Sequence, residues 1–318
     1  MNSRRLTAYS MLLIASIIWG VAGPITKYSV AFIPIALFLT YRFLVSGVVG
    51  ILMTPNAFSI FKQKKYVTSI LLYSFFSVTL AIGFFFLGIS QTSSLSSSII
   101  GATTPIFTTI AAAIFLHEKV TGRERFGILL AFLGTTLTIV EPLILRGNAP
   151  SQESLMGNLF VLFAVLTDIV SWIIAKVALR EKIPALKLTT VSFILNIPIF
   201  MAILLWSTSI PTIIQTLTEA PLLAHFGVLY MALFSGTLAY FLRNRAIQSI
   251  EVSEGSIFMY LQVVWAAPLA LFWLRESVGP IFIAGVIVTA IGVFIAEYKK
   301  KRAPTTSPKA ISRRRRKR

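Results

Sequence analysis

Runs of apolar residues as long as a bilayer is thick constrain this chain more than any other feature. A helix needs about 20 mostly apolar residues to cross the hydrocarbon core. Ten such runs follow one another: 7–27, 33–53, 67–88, 95–116, 124–142, 155–178, 186–206, 222–242, 253–274 and 279–297. They occupy most of the 318 residues and leave short loops, with no room for a soluble domain. Inside lipid the backbone must satisfy its own hydrogen bonds, and runs of this length do so as helices. The expected fold is therefore an all-α polytopic membrane protein with ten transmembrane helices. The first run follows Arg4 and Arg5, as a signal peptide would, but it is too long, lacks a small-residue cleavage pattern before Tyr28, and is followed by further runs.

Cations then orient the chain, because cytoplasmic loops collect Lys and Arg. Arg4 and Arg5 precede the first run, and Lys62, Lys64 and Lys65 follow the second. Lys119, Arg123 and Arg125 follow the fourth, Arg180, Lys182 and Lys187 the sixth, and Arg243 and Arg245 the eighth. The alternate loops hold only Arg146 and Arg275, plus Lys27 at the end of the first run. Both termini are expected in the cytoplasm, with the protein in the plasma (inner) membrane. The formal net charge is +18, but much of it is a tail that ends in six cations, Arg313 to Arg318. Such a run is expected to be disordered and to associate with anionic lipid. Nucleic-acid binding is not expected, since no supporting fold accompanies the charge.

The chain also repeats itself. Leu116-His117-Glu118, Val120, Gly127 and Gly134 match Leu274-Arg275-Glu276, Val278, Gly285 and Gly292, each pair offset by 158. Ile33-Pro34 and Phe43 match Ile183-Pro184 and Phe193, offset by 150. The organisation read from this is a cytoplasmic N-terminus (1–6), a five-helix repeat (7–142), an external linker (143–154), a second five-helix repeat (155–297) and the basic tail (298–318). Five is odd, so the second repeat must insert upside down relative to the first. Inverted repeats are a mark of secondary transporters, with a solute site near the midplane between the halves. Gly127 and Gly134 share one helix face, as do Gly285 and Gly292. Such faces let backbones approach closely, so runs five and ten are expected to pack on each other or to form a homodimer.

These residues resemble the EamA family of the drug/metabolite transporter superfamily. The resemblance rests on Trp19-Gly20 with Lys27, on Arg42, on Pro105 with Phe115-Leu116-His117-Glu118 and Gly127, and on Leu274-Arg275-Glu276 with Gly285. It spans almost the whole chain. One departure is Val263 where a Pro is expected, and Pro268 is the residue left to supply the kink. The resemblance implies ten helices, export or exchange of small metabolites, and a central cavity lined by helices 1, 3, 4, 6, 8 and 9. Members of the family carry amino acids, nucleotide sugars, drugs and phosphorylated sugars.

Ionisable groups inside membrane helices are costly and mark function by default. Asp168 lies mid-run as a candidate for proton coupling or for holding a cationic group, and Lys176 is too far along the helix to pair with it directly. Arg42 can bind a carboxylate or phosphate with its planar fork, or pair structurally with Asp168. Lys27 can contact solute or extend to the interface. Thr103, Thr104, Tyr260, Gln262 and Trp265 lie in the two kink-prone runs four and nine. With Trp19, Trp172, Tyr240 and Asn244 they form the expected substrate path.

The chain has no cysteine and two distant histidines, so no metal site, cofactor or thiolate nucleophile is expected. No Walker motif is present to power transport with ATP. The expected function is a secondary transporter, an exporter or exchanger working by alternating access around a midplane cavity. Its partner is a small-molecule solute, amino acids above all. Nucleotide sugars and drugs or organic cations are the alternatives. An intramembrane enzyme is more remote, because a deep catalytic pair is missing and no Gly-x-Ser-x-Gly occurs.

Overall fold

The computed structural model describes residues 3–116, 122–144 and 154–297. His117, Glu118 and Val120 of the repeat, most of the linker and the basic tail lie outside the described residues.

The described chain is helical throughout. α1 (Ser3–Val30) and α2 (Ile35–Met53) lead to a 3-10 segment (Ala57–Lys62). α3 (Lys64–Tyr73), a π-helical segment (Ser74–Ile82) and α4 (Gly83–Gln91) run on as one rod. α5 (Ser94–Gly101) and α6 (Thr104–Phe115) form a broken span. α7 (Gly122–Ile144), α8 (Leu155–Arg180) and α9 (Ala185–Ser207) follow, with a short exposed α10 (Ile210–Glu219). α11 (Leu222–Tyr230), a second π segment (Met231–Leu238) and α12 (Ala239–Ala246) make the next rod. α13 (Val252–Ser256), a 3-10 turn (Ile257–Tyr260), α14 (Leu261–Pro268) and a third π segment (Leu269–Trp273) precede α15 (Pro280–Glu297). Pro268 thus ends α14 at a change of helical pitch, close to where the sequence placed its kink.

Eight of these rods are long and apolar enough to cross a membrane. α7 and α15, the expected fifth and tenth spans, contain shorter apolar stretches, Arg125–Thr138 and Pro280–Gly292. Large apolar side chains stand exposed along the bundle, among them Leu52 at 75%, Phe272 at 84% and Trp206 at 88%. A water-soluble domain would bury such residues. In a bilayer they meet hydrocarbon.

Local sequence explains where the helices start. Pro34 and Pro184, the matched prolines, stand immediately before α2 and α9, where a missing N–H costs nothing. Ser93 Oγ accepts from Ser96 N at 3.0 Å and Ser154 Oγ from Gly157 N at 2.9 Å, capping α5 and α8. Glu276 adds a carboxylate to the α5 start, accepting from Ser94 N at 2.7 Å and Leu95 N at 3.0 Å. Negative charge there also meets the positive end of the helix dipole.

The glycine faces of α7 and α15 pack on each other within one chain. A Cβ on Gly134 would lie 2.7 Å from Gly285 O, and one on Gly292 would lie 2.7 Å from Gly127 O. Only glycine permits this approach of backbone to backbone. The face is therefore occupied inside the molecule. On the other side of the bundle, Phe38, Phe43, Phe86, Phe193 and Phe200 form one packed cluster.

Candidate functional site

A cavity of about 160 Å³ opens between the helices. Its wall takes Trp19 and Gly23 from α1 and Arg42 from α2. Both long π segments contribute, through Ala81 and Ile82 and through Met231 and Ser235. Ser97, Ser98 and Gly101 of α5 and Thr104 of α6 face it across the break in that span. Val161, Val165 and Asp168 of α8, Tyr240 and Arg243 of α12, and Gln262 of α14 complete it. The wall therefore draws on the apolar runs expected as one, three, four, six, eight and nine, those the resemblance names, with run two added by Arg42. No described residue of α7, α9 or α15 lines it.

Asp168 does not pair with Arg42. Its partner is Arg243, whose Nη1 donates to Oδ1 at 3.0 Å and to Oδ2 at 3.3 Å. Ser171 Oγ donates to Oδ1 at 2.8 Å and Trp172 Nε1 to Oδ2 at 2.9 Å. Both carboxylate oxygens are thus supplied with donors. Arg243 Nη2 donates onward to Tyr73 Oη at 3.0 Å, and its guanidinium lies over the rings of Tyr240, Trp172 and Trp19 at 4.6, 5.0 and 5.7 Å. Asn244 Nδ2 donates to the same Tyr73 oxygen at 3.0 Å and to Thr189 Oγ1 at 3.1 Å. A buried pair held by further hydrogen bonds is the arrangement in which the desolvation of two charges is best offset.

Arg42 differs. It is 2% exposed and its Nε has no hydrogen-bond partner among the described residues. Its guanidinium sits 5.7 Å from the rings of both Phe43 and Phe86. Each such contact is worth about 1 kcal/mol. Desolvating one ion costs several kcal/mol, so the rings alone do not compensate the charge.

The expected path residues divide into two groups. Trp19, Thr104, Tyr240, Gln262, Arg42 and Asp168 line the cavity. Thr103, Trp172, Asn244, Tyr260, Trp265 and Lys27 are not among its lining residues. Trp172 and Asn244 are buried behind the wall and hold Asp168 and Tyr73. Thr103 Oγ1 donates to Ile100 O at 2.6 Å, a carbonyl at the helix break that also accepts from Thr103 N. The base of the Trp265 side chain is pressed against α1, where a Cβ on Gly20 would come within 2.6 Å of Trp265 Cβ. Lys27 Nζ donates to Thr92 O at 2.7 Å, so it ties the last turn of α1 to the end of α4.

Arg243 is the residue that sequence reasoning misplaced. It follows the apolar run 222–242 and reads as a loop cation, yet it is 1% exposed inside α12. The usable signal was Asp168, a mid-span acid in need of a basic partner. Glu141 was missed as a further acid inside the bundle. It is 1% exposed and accepts from Phe282 N at 3.2 Å. Among the described residues no three His, Cys, Asp or Glu side chains gather as a metal site.

The model of the EamA-like transporter family matches this chain at residues 6–140 and 155–298. The "Uncharacterized transporter YetK" of Bacillus subtilis (strain 168) is 29% identical, over 96% of this chain and 91% of that protein. The "Uncharacterized transporter YyaM" of the same organism is 25% identical, over 94% of this chain and 98% of its own length. An "Uncharacterized transporter" of Archaeoglobus fulgidus is 25% identical, over 89% and 95% of the two chains. A solved crystal structure superposes with a TM-score of 0.65 at 12% identity, covering 94% of this chain and 100% of that one. That likeness concerns the fold.

Proposed function

The chain belongs to the EamA-like transporter family, and from that premise we infer a secondary transporter that moves a small solute by alternating access around this cavity. The observation that carries the reading is the charged cavity itself. Ionisable groups are costly inside a membrane and are retained where a solute or ion passes. Its mixture of aromatic, hydroxyl and charged groups suits a small amphipathic metabolite bearing a carboxylate, and amino acids are the first class to test. Export or exchange is the proposed mode.

We read α7 and α15 as the two remaining spans, giving ten. We read the halves as inverted repeats with both termini in the cytoplasm. Support comes from the two stretches that one family model matches, on either side of residues 141–154. Further support comes from the π segments starting at Ser74 and Met231, whose separation is close to the offset of 158 in the sequence repeat. Both π segments line the cavity. Such segments often mark functional places in helices.

Asp168 is the proposed coupling group. A proton on its carboxyl removes the charge that holds Arg243 and loosens α8 from α12. The test is uptake of a labelled amino-acid mixture into proteoliposomes, with and without a pH gradient, beside Asp168→Asn. Gradient-stimulated uptake lost in the variant supports coupling through Asp168. Uptake indifferent to both makes the protein a facilitator and Asp168 a structural carboxylate. If sugars, nucleotide sugars, organic cations and simple monocarboxylates fail as well as amino acids, the transporter reading falls.

A further inference from the structure

We propose that Arg42 is the docking point for the carboxylate of a small amphipathic monoanion, and that the site prefers this ligand to the matching zwitterion. The inference rests on the transporter reading and replaces amino acids, its first solute class, with carboxylates that lack an amino group. Three charged residues line the cavity: Arg42, Asp168 and Arg243. Asp168 and Arg243 cancel each other at 3.0 Å. Arg42 is left as one positive charge, and among the described residues no carboxylate pairs with it.

The guanidinium is positioned to receive an anion. It is buried and lines the cavity, and no described residue accepts a hydrogen bond from it. The Phe43 and Phe86 rings bracket it without accepting a conventional hydrogen bond from it. A planar guanidinium with free donors fits a carboxylate in bidentate fashion. Charge balance selects the monoanion. A phosphate monoester carries about −1.5 to −2 at pH 7 and would leave an excess of negative charge buried beside Asp168.

The same bookkeeping disfavours an amino group. Asp168 is the sole acid among the lining residues. Its two oxygens already accept from Ser171, Trp172 and Arg243. An ammonium group entering the cavity would have to displace one of these donors or stay unpaired, and an unpaired buried charge is costly. The remainder of the wall, with Ile82, Phe85, Val161, Val165, Met231 and Met259, offers apolar contact to a short hydrocarbon body.

The test uses full-length protein in detergent micelles and four probes of similar shape: isocaproate, leucine, isocaproamide and isoamylamine. Calorimetric titration, corrected with protein-free micelles, reads each affinity. Isocaproate is expected to bind about tenfold or more tighter than each of the others. Arg42→Gln is expected to erase the difference between isocaproate and isocaproamide, and Arg42→Lys to restore part of it. If the amide or leucine matches isocaproate on the wild-type protein, or if no probe binds, the proposal is overturned. That comparison stands even where Arg42→Gln does not fold. Uptake into proteoliposomes separates this inference from the transporter reading. Isocaproate that binds but is never taken up overturns transport and leaves the role of Arg42 intact. Leucine or isoamylamine taken up in preference to isocaproate overturns the role of Arg42 and leaves transport intact.

Discussion

Arg243 and Asp168 lie 75 residues apart in sequence and meet at 3.0 Å inside the bundle, the arginine side chain 1% exposed and the aspartate 26%. The pair links α8 to α12 across the cavity wall. Each member is expensive alone, so their energetics should show in a double-mutant cycle.

Asp168→Asn removes the counter-charge and leaves Arg243 buried. We expect a loss of about 3 kcal/mol, the size found when one partner of a buried pair is removed. Asp168→Asn combined with Arg243→Gln should recover much of that loss. Unfolding of the four proteins in detergent gives the coupling energy. Additive single-variant effects would show that the two residues act independently.

Tyr73→Phe deletes the oxygen that accepts from Arg243 Nη2 and Asn244 Nδ2. Leaving buried donors unsatisfied costs about 1–3 kcal/mol. The expected result is a lower thermal midpoint with the fold retained. An unchanged midpoint would mean that the two donors find other acceptors.

Gly134→Ala should separate α7 from α15, because its Cβ would lie 2.7 Å from a backbone oxygen that cannot swing aside. Overpacking of this kind costs about 1–3 kcal/mol. Gly122→Ala is the control, since nothing stands within 4 Å of its Cβ position. Equal midpoints for the two variants would argue against a close helix crossing.

Glu276→Ala strips the carboxylate from the N–H groups of Ser94 and Leu95. Ser93 still caps the helix, so the expected loss is about 1 kcal/mol. Hydrogen exchange should rise at the start of α5 and stay unchanged in α9. Uniform exchange across both helices would place the carboxylate's role elsewhere.

The chain contains no cysteine, so orientation can be read by introducing one at a time. Thr216→Cys, on the exposed α10, should react with an impermeant maleimide on intact cells. Arg245→Cys should react only after the membrane is opened. The reverse pattern would invert the topology.

Much of the architecture was legible because it depends on local chemistry. Run length marked the eight apolar spans, and matched prolines marked the starts of α2 and α9. The paired glycines marked where α7 and α15 approach. The site was legible only in part. Trp19, Arg42, Thr104, Asp168, Tyr240 and Gln262 reach the cavity, while Trp172 and Asn244 stand one layer behind it. Residues on a helix that turns every 3.6 positions share polarity whether they face a cavity or brace its wall. Polarity therefore nominated both groups alike.

Arg243 marks the boundary between the two kinds of information. The length and order of apolar runs, the cations flanking them and the spacing of small residues are properties of the chain read in one dimension. They sufficed for a helical membrane protein, because lipid imposes the same demand on every crossing segment. Which cation leaves its loop and enters the bundle is decided by the packing of α8 against α12 and by the acid waiting there. Attraction between two buried charges acts across space, and 75 residues of intervening chain carry no record of it. Tertiary structure alone gave Asp168 to Arg243 and left the charge on Arg42 facing the cavity.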